Sequence, residues 1–571
     1  MDDSSSQDDR GDEDMALRRE KLIETATTHL NAARACIPEL EALLAALTPK
    51  VKSVHATGLI PFVRDLKHDV QGIEAILQEL RQLRSKKNGD AAGPEPDDDA
   101  ARADLDAIWK RLEPRTTDAY HSSTRWQALR RCADLVAVKR TFQGSAPDLR
   151  RAAVLERGLQ TDHEKVQLHR TIKEQAKTEV AVVDRGACWI DIRWISADRL
   201  ARQMTDSGWS WGEYECGDVV SRDEWEDMPF VRQVRRVVAA ARLNRHEYRI
   251  PAVRLVLPNL ARGAHPDIDV LLDQLPRLDP GVDLVLEDAS SDFCTRPPPP
   301  LADTIRDLVG TGSLQVPLTD TLNLEHTVLV DLISDLTHLR LTPLPWQSRT
   351  TRAQIEEENA HPDGVMAPIL YPLLRGRRLV CTHEAAEHFH EMLTTVGTAT
   401  ERARGRLLVP YYAEELRAAY SPAILRERFD ALSERPLPAD LQFPVEVLAD
   451  DGRWDVDRVR SLVEDDGSGA LPPVALEIAR RDLLKSSKLS TYMYGWRAGV
   501  VTVTSNKEVR AHMRTWVEAG RCSDDERGPM LYCVDVTRNL LAKSAVPPPG
   551  WPGLGEERNS QTPVQNNEHK E

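Results

Sequence analysis

The sequence lacks any apolar run of the length that a membrane-spanning helix requires. Uncharged stretches such as residues 308–319 and 366–374 fall well short of the roughly 18 apolar residues that cross a bilayer. The first 14 residues are acidic and rich in serine, whereas a signal peptide opens with basic residues followed by an apolar segment. We therefore expect an intracellular protein, in the cytoplasm or the nucleus, with no signal peptide, no transmembrane segment and no membrane partner.

Cysteine is sparse, and no two cysteines form a CxxC pair. The eight cysteines are spread over all 571 residues, and ten residues separate the closest two. This spacing excludes a zinc ribbon and a disulfide-stapled scaffold. We expect the thiols to be reduced.

Motifs that mark several common active sites are also absent. The sequence contains no GxGxxG, GxxxxGK[ST], GxSxG or HExxH pattern, which excludes these signatures of nucleotide binding, serine hydrolases and zinc proteases. The segment HEAAEH (383–388) only approaches the last pattern, because its two histidines are five residues apart. On a helix they would point about 140° apart and could not bind one metal from one face.

The charge balance is acidic. The chain has 91 acidic and 75 basic residues, a net charge of −16, so it would bind RNA only through a local basic patch. Residues 232–249, predicted to be helical, carry arginines that either contact phosphates or form a solvated surface with internal salt bridges. The candidate phosphate-binding residues are Arg232, Arg235, Arg236 and Arg242.

Tryptophan is the prominent aromatic residue, with twelve against seven phenylalanines. Trp209 and Trp211 would share one face of an extended segment and could stack the bases of single-stranded nucleic acid. Packing in a core or interface is the alternative interpretation of both residues.

Composition and periodicity divide the N-terminal half. Apolar residues at helical spacing predict an antiparallel helical hairpin, which either packs on the rest of the chain or dimerises as a coiled coil. Two β-rich runs, 179–184 and 188–194, predict a strand hairpin. The predicted segments are a disordered start (1–14), the helical hairpin (15–84), an acidic linker (85–103), a mixed α/β domain (104–289) and a Pro-rich linker (290–312).

The C-terminal part alternates strand and helix. The strand runs at residues 316–325, 377–381 and 499–504 are largely apolar, as buried parallel strands are, and each precedes a helical pattern. This alternation predicts a layered α/β fold with a parallel sheet and right-handed crossovers. The predicted segments are the α/β domain (313–543), an insertion within it (433–473) and a disordered tail (544–571).

Polar side chains occur where these strands end. Glu325 follows the first strand, and Asn506 lies two residues past the third. Glu384 and Glu387 lie in the first turns of the second helix. Since open parallel sheets bind ligands at the carboxyl ends of their strands, these groups could meet and bind Mg²⁺ or Mn²⁺ for phosphodiester hydrolysis. In the alternative interpretation, the acids only stabilise helix N-termini.

Segments of the C-terminal part resemble those of PIN-like domains. The start of such a domain is similar to LNLEHTVLVDLIS, its acidic second helix to VCTHEAAEHFHEMLTTVGTATERAR, and its SSK and TGD segments to SSKLS and VTVTSNKEV. Nearly the whole chain, including CWIDIRW and GEYECGD, resembles an uncharacterised eukaryotic family, the domain-of-unknown-function family thirteen-oh-eight.

The resemblance implies a Rossmann-like α/β/α domain of the metal-dependent ribonuclease class, which uses three or four acidic residues. Glu325 stands at the first acidic position, where the family has Asp, and Glu384 or Glu387 at the second. Asn506 stands where the TGD pattern has its acid. The implied metal ligands are Glu325, Glu387 and Asn506, and the neutral amide weakens the site.

Two functions are therefore expected. The first is a ribonuclease dependent on Mg²⁺ or Mn²⁺, with a weakened acidic site formed by these four residues. The alternative is a catalytically inactive PIN-like scaffold, or a module that binds RNA or protein. A protein partner would bind through the N-terminal helices.

Overall fold

The structure, a computed structural model, is a mixed α/β protein that divides into two compact units, Met1–Ser313 and Leu314–Glu571. Each unit has a five-stranded β-sheet. The described residues are 5–48, 57–89, 98–133, 135–158, 161–309, 318–410, 419–449, 452–465, 471–481, 484 and 487–548.

The N-terminal unit combines a helical bundle with a sheet and its flanking helices. Its helices are α1 (Ser5–Leu47), α2 (Leu59–Gly89), α3 (Asp98–Leu129), α4 (Pro147–Glu156), α5 (Asp162–Gln175), α6 (Ala197–Asp206), α7 (Pro229–Leu243), α8 (Pro266–Gln274), α9 (Asp292–Thr295) and α10 (Leu301–Val309). Its strands are β1 (Leu135–Gln143), β2 (Lys177–Asp184), β3 (Cys188–Ile192), β4 (Ala252–Leu257) and β5 (Leu284–Asp288). Short 3₁₀ helices cover Arg222–Glu224 and Leu275–Leu278.

The first three helices pack around a shared apolar core. Helices α1 and α2 run antiparallel, as predicted for the hairpin, since Arg34 pairs with Glu74 and Glu41 pairs with Lys67. The hairpin is incomplete by itself, because α3 packs against both helices and buries Trp126 in the same core. The amphipathic face of the predicted hairpin is thus covered within the chain.

Helix ends in this bundle differ from the predicted boundaries. Helix α1 begins at Ser5, inside the segment expected to be disordered. Helix α2 extends to Gly89 and α3 begins at Asp98, so both enter the predicted linker at 85–103. The middle of that linker, 90–97, lies outside the described residues.

The segment predicted as a Pro-rich linker, 290–312, is largely part of the N-terminal unit. Helices α9 and α10 lie within it, and Leu301, Ile305 and Leu308 pack on the core of the bundle. The four prolines end at Pro300, before the first residue of α10, so they do not interrupt that helix. Residues 310–312 lie outside the described residues.

The N-terminal sheet has the strand order β1-β2-β3-β4-β5. The predicted strand hairpin is confirmed, because β2 pairs antiparallel with β3, with Val182 opposite Ile190. Arg185 and Gly186 adopt positive φ at its turn. Strands β3, β4 and β5 are parallel, so their carboxyl ends share one edge with the start of β2.

The C-terminal unit is built around a second sheet. Its helices are α11 (His326–Asp331), α12 (Asp335–His338), α13 (Arg349–Asn359), α14 (Met366–Leu374), α15 (His383–Val396), α16 (Ala399–Leu408), α17 (Pro422–Asp430), α18 (Val456–Glu464), α19 (Val474–Ala479), α20 (Ser487–Ala498), α21 (Lys507–Gly520) and α22 (Ala542–Ala545). Its strands are β6 (Thr321–Leu324), β7 (Arg378–Cys381), β8 (Glu446–Val447), β9 (Val501–Thr504) and β10 (Leu531–Cys533).

This second sheet is entirely parallel, which confirms the predicted strand–helix alternation. The strand order is β10-β9-β6-β7-β8, which in chain order is 3-2-1-4-5 read from β8. The order reverses between β6 and β9, and such a switch point leaves a crevice at the strand ends in doubly wound sheets. Strand β8 lies inside 433–473, so the segment predicted as an insertion supplies an edge strand. Its two residues are too few for a strand pattern to show.

Successive residues of β6 and β9 face opposite sides of the sheet, and both sides are covered. Leu324 and Val503 lie in the apolar core. On the other side, Asn323 Nδ2 donates hydrogen bonds to the carbonyl of Thr491 on α20 (2.8 Å) and to Thr502 Oγ1 (3.0 Å). The composition of these strands predicts apolar side chains on both faces. The structure differs on the side that meets α20, where a buried row of polar side chains runs along the strands.

The predicted disordered tail, 544–571, overlaps the last helix at its start. Helix α22 ends at Ala545, and residues 549–571 lie outside the described residues.

Candidate functional site

Glu325 lies directly after β6, as predicted, and the strand order places this position at the switch point of the sheet. Its backbone N–H donates to the carbonyl of Val503 at 3.0 Å, and its side chain is fully buried. One carboxylate oxygen, Oε2, accepts hydrogen bonds from the hydroxyls of Thr327 and, at 2.8 Å, Thr504. These two hydroxyls fix the position of the carboxylate between β6 and β9.

The second carboxylate oxygen of Glu325 faces a histidine. Oε1 has no hydrogen-bond partner among the described residues and lies 3.4 Å from Nδ1 of His326, which is also without one. Burial lowers the pKa of His326 below its usual value, Glu325 opposes this shift, and His388 and Lys488 add to it. The imidazole is therefore neutral at neutral pH, and no cation of the described chain neutralises this oxygen at contact distance.

The two candidate acids of α15 are not brought to Glu325 as a cluster. Thr382 caps the helix by accepting the N–H of Ala385 at 3.3 Å. Glu384 is half-buried, and its Oε1 accepts the N–H of Trp454 at 3.0 Å. Glu387 is exposed. Of this pair, one acid is used to hold a neighbouring segment and the other faces solvent.

Asn506 is the N-cap of α21. Its Oδ1 accepts the N–H of Val509 at 3.1 Å. Ser505, the residue before it, does not cap the helix, because its Oγ donates to Asp331 Oδ2 at 2.7 Å. The amide oxygen proposed as a metal ligand already accepts a hydrogen bond.

These residues do not fit a two-metal centre. Mg²⁺ and Mn²⁺ take about six ligands, preferably several charged oxygens. In the described part of the chain, no group of three or more His, Cys, Asp or Glu side chains is placed to hold a metal ion. Among the candidates, Glu325 Oε1 is the buried oxygen that still lacks a partner, and one oxygen does not make such a site.

A buried acid near the site was missed in the sequence. Asp331 is fully buried and accepts hydrogen bonds from Ser505 Oγ and from the N–H of Arg538, both at 2.7 Å. Burial raises its pKa from 3.8 to about 7. The available sequence signal for Asp331 was an acidic residue within the apolar run of α11. The hydroxyl contacts that Thr327 and Thr504 make with Glu325 leave no signal in the sequence.

The arginines predicted to bind phosphates lie on α7 and differ in their surroundings. Arg232 and Arg236 are exposed, as is Arg235, which lies 3.7 Å from Glu226. Arg242 pairs with Asp279 at 2.6 Å. The first three leave an exposed basic strip on the helix, whereas Arg242 belongs to a salt bridge.

The tryptophan pair does not form a stacking platform. Trp209 is buried in the core of the N-terminal unit, where its Nε1 donates to Asp267 Oδ1 at 3.0 Å. Trp211 is exposed and lies edge-on to His265, with 5.0 Å between ring centroids. Of the two interpretations of Trp209, packing in a core is therefore confirmed, and the segment forms turns instead of the extended conformation that would place both rings on one face.

No protein-family model, no curated protein and no solved structure matches this chain. Over the described ranges, none of the helices has both the length and the apolar character needed to cross a membrane.

Proposed function

We propose that the C-terminal unit is a PIN-like domain that binds single-stranded RNA at the switch point of its sheet without hydrolysing it. The parallel sheet with order 3-2-1-4-5 is compatible with the Rossmann-like topology that the sequence resemblance implies. In such sheets the crevice beside the switch point is the usual ligand site. Fold alone does not assign the chemistry, so the side chains at this crevice carry the argument.

One observation carries the proposal: oxygens that would bind a catalytic metal already accept hydrogen bonds from the protein. Glu325 Oε2 accepts two hydroxyl groups, and Asn506 Oδ1 accepts a backbone N–H. Glu384 Oε1 accepts another backbone N–H. A metal ion bound through Glu325 Oε2 would have to displace at least one of its two hydroxyl donors, and a lost bond to a charged group costs about 1.5–3 kcal/mol.

Basic groups beside Glu325 suit a phosphodiester better than a metal ion. Lys488, near the start of α20, is close enough to His326 for its charge to lower the pKa of that imidazole. Lys507, which pairs with Asp535 at 3.1 Å, is the first residue of the 14-residue helix α21, and a helix N-terminus attracts anions. A bound RNA backbone would receive charge stabilisation there, while no activated water is generated to cleave it.

The proposal is tested by fluorescence anisotropy of labelled single-stranded RNA titrated with the full chain, in EDTA and in Mn²⁺. We expect the same affinity in both buffers. Lys488→Gln should weaken binding, whereas the matched control Arg375→Gln should not, because Arg375 pairs with Asp440 before β7, at the opposite end of the strands. Absence of RNA binding, or equal loss in both variants, would contradict the proposal.

A further inference from the structure

A cavity with an excess of positive charge lies in the N-terminal unit, at the carboxyl end of β3. Its volume is about 230 Å³. Four cationic side chains line it: Arg125 from α3, Lys177 from the start of β2, Arg193 just after β3, and Arg236 from α7. They meet because β2 is antiparallel to β3, so that its first residue lies at the edge where β3 ends.

Arg125 is the decisive residue of this cavity. It is 8% exposed, and its buried Nε has no hydrogen-bond partner. Among the described residues, none accepts a hydrogen bond from its guanidinium or forms an ion pair with it; it lies instead over the rings of Phe62 (5.7 Å) and Trp194 (5.9 Å). A buried cation without an acceptor is costly, and burial lowers the pKa of Arg125 accordingly. Glu179 and Asp118 act on Arg125 only through space, so the guanidinium has no anion at hydrogen-bond distance among the described residues.

Two of the four cations of this cavity already have an ion-pair partner. Arg193 donates to Asp191 at 2.7 Å, and Lys177 pairs with Glu174, also at 2.7 Å.

The other two cations, Arg125 and Arg236, make no side-chain hydrogen bond or ion pair with any described residue. The remaining acid of the cavity, Glu179, is exposed. A phosphate group presents three strong acceptor oxygens, so it can accept hydrogen bonds from both guanidinium groups, whereas a carboxylate presents two oxygens.

The cavity is small, and Trp194, the aromatic residue of its lining, already contacts other side chains. His121 stacks on Trp194, with 3.7 Å between ring centroids, and Arg125 also lies against that indole. The volume is below the roughly 300–1,000 Å³ of sites for drug-sized ligands. The ligand is therefore a compact oxyanion, for which arginine provides paired donors.

We propose that this cavity binds a phosphate group, either as free phosphate or as the head of a small phosphomonoester, with Arg125 and Arg236 as its main contacts. The proposal concerns the N-terminal unit and does not depend on RNA binding by the C-terminal unit. It also separates Arg236 from the basic strip of α7, because that side chain lines the cavity whereas Arg232 does not.

Isothermal titration of the full chain with inorganic phosphate, glycerol phosphate and acetate at constant ionic strength tests the proposal. We expect one or both phosphate ligands to bind and acetate to bind much more weakly. Arg125→Gln and Arg236→Gln should each raise the dissociation constant at least about tenfold, the loss expected for a charge-assisted hydrogen bond. The matched control Arg232→Gln, exposed on the same helix, should keep the wild-type affinity.

Three results would overturn the proposal: no binding of either phosphate ligand at millimolar concentration, acetate binding as tight as phosphate, or wild-type affinity in both cavity variants. If the buried Arg125 cannot be replaced without unfolding the protein, Arg236→Gln decides, since that side chain is exposed. Binding of phosphate but not of glycerol phosphate would assign the cavity to the free ion, and tighter binding of the ester would assign it to phosphomonoesters.

Discussion

The hydroxyl of Thr504, the last residue of β9, donates to Glu325 Oε2 at 2.8 Å and ties the ends of β9 and β6 together. The acceptor carboxylate is fully buried, and Thr327 holds the same oxygen. The contact lies at the switch point of the sheet, where doubly wound folds bind their ligands. Glu325 Oε2 therefore accepts hydrogen bonds from the protein itself when no ligand is bound.

Thr504→Val is expected to destabilise the protein by about 1–3 kcal/mol, because the buried carboxylate loses a hydrogen bond and the isosteric valine cannot replace it. Thr515→Val serves as the matched control, since Thr515 is exposed on α21 and bonds only the carbonyl of Ala511. Urea denaturation of both variants measures the difference. Equal stability of the two variants would show that Thr504 does not support the buried carboxylate.

Asp331 should make stability depend on pH. Burial raises its pKa from 3.8 to about 7, so between these values the native state holds a proton that the unfolded state has lost. The free energy of unfolding should fall as the pH rises through this window, by up to about 1.4 kcal/mol per pH unit, and level off above it. Asp331→Asn should lack this decline.

Denaturation of wild type and Asp331→Asn at several pH values between about 4.5 and 7.5 checks the titration. The free energy of unfolding of the wild type minus that of Asp331→Asn should fall steadily as the pH rises across the window, because only the wild type titrates at this position. Parallel stability curves would show that Asp331 is ionised in the native state throughout.

The buried pair of Asp335 and Arg404 should be essential to the C-terminal unit. Arg404 is fully buried, and besides this ion pair it donates to the carbonyls of Ile333 and Leu432. Asp335→Ala should cost about 3–5 kcal/mol, because it leaves a buried cation without its charge partner. The exposed pair of Glu477 and Arg480 is the control.

Thermal unfolding of Asp335→Ala and Glu477→Ala gives the comparison. The control should change stability by less than about 1 kcal/mol, as exposed ion pairs do. If both variants unfold at the wild-type temperature, the buried ion pair does not contribute to the stability of this unit.

Salt should weaken RNA binding in proportion to the number of phosphates contacted. For single strands, the logarithm of the binding constant falls with the logarithm of salt concentration, with a slope of about −0.7 per phosphate. Lys488→Gln should therefore make the slope less steep by about 0.7 if it contacts one phosphate. Anisotropy titrations at several salt concentrations measure this slope, and an unchanged slope would remove Lys488 from the interface.

The architecture of the C-terminal unit could be predicted because it depends on local patterns. Apolar runs followed by helical spacing identified β6, β7 and β9 and their helices. The same pattern placed Glu325 at the carboxyl end of β6, where open parallel sheets bind ligands. Strand β8 was missed, since a two-residue edge strand is too short to show a pattern. Likewise, the apolar face of α10 was not predicted, because the run of prolines that ends just before it indicated a linker.

The chemistry of the site could not be predicted in the same way, because it depends on which atoms face each other across strands and loops. Whether Glu384 meets Glu325 or the backbone of Trp454 depends on where a distant segment packs. The side of Trp209 that is buried depends on turns, not on residue spacing. The cavity of Arg125 joins residues from α3, β2, β3 and α7, which no sequence pattern connects.

The most direct test of the account is to incubate labelled single-stranded RNA with the full chain and Mn²⁺ and to resolve the products on a denaturing gel. Wild type and Glu325→Gln should both leave the RNA intact, while native gels run in parallel show the RNA bound by wild type. Cleavage by wild type that requires Mn²⁺ and is lost in Glu325→Gln would contradict the account and establish Glu325 as a metal ligand.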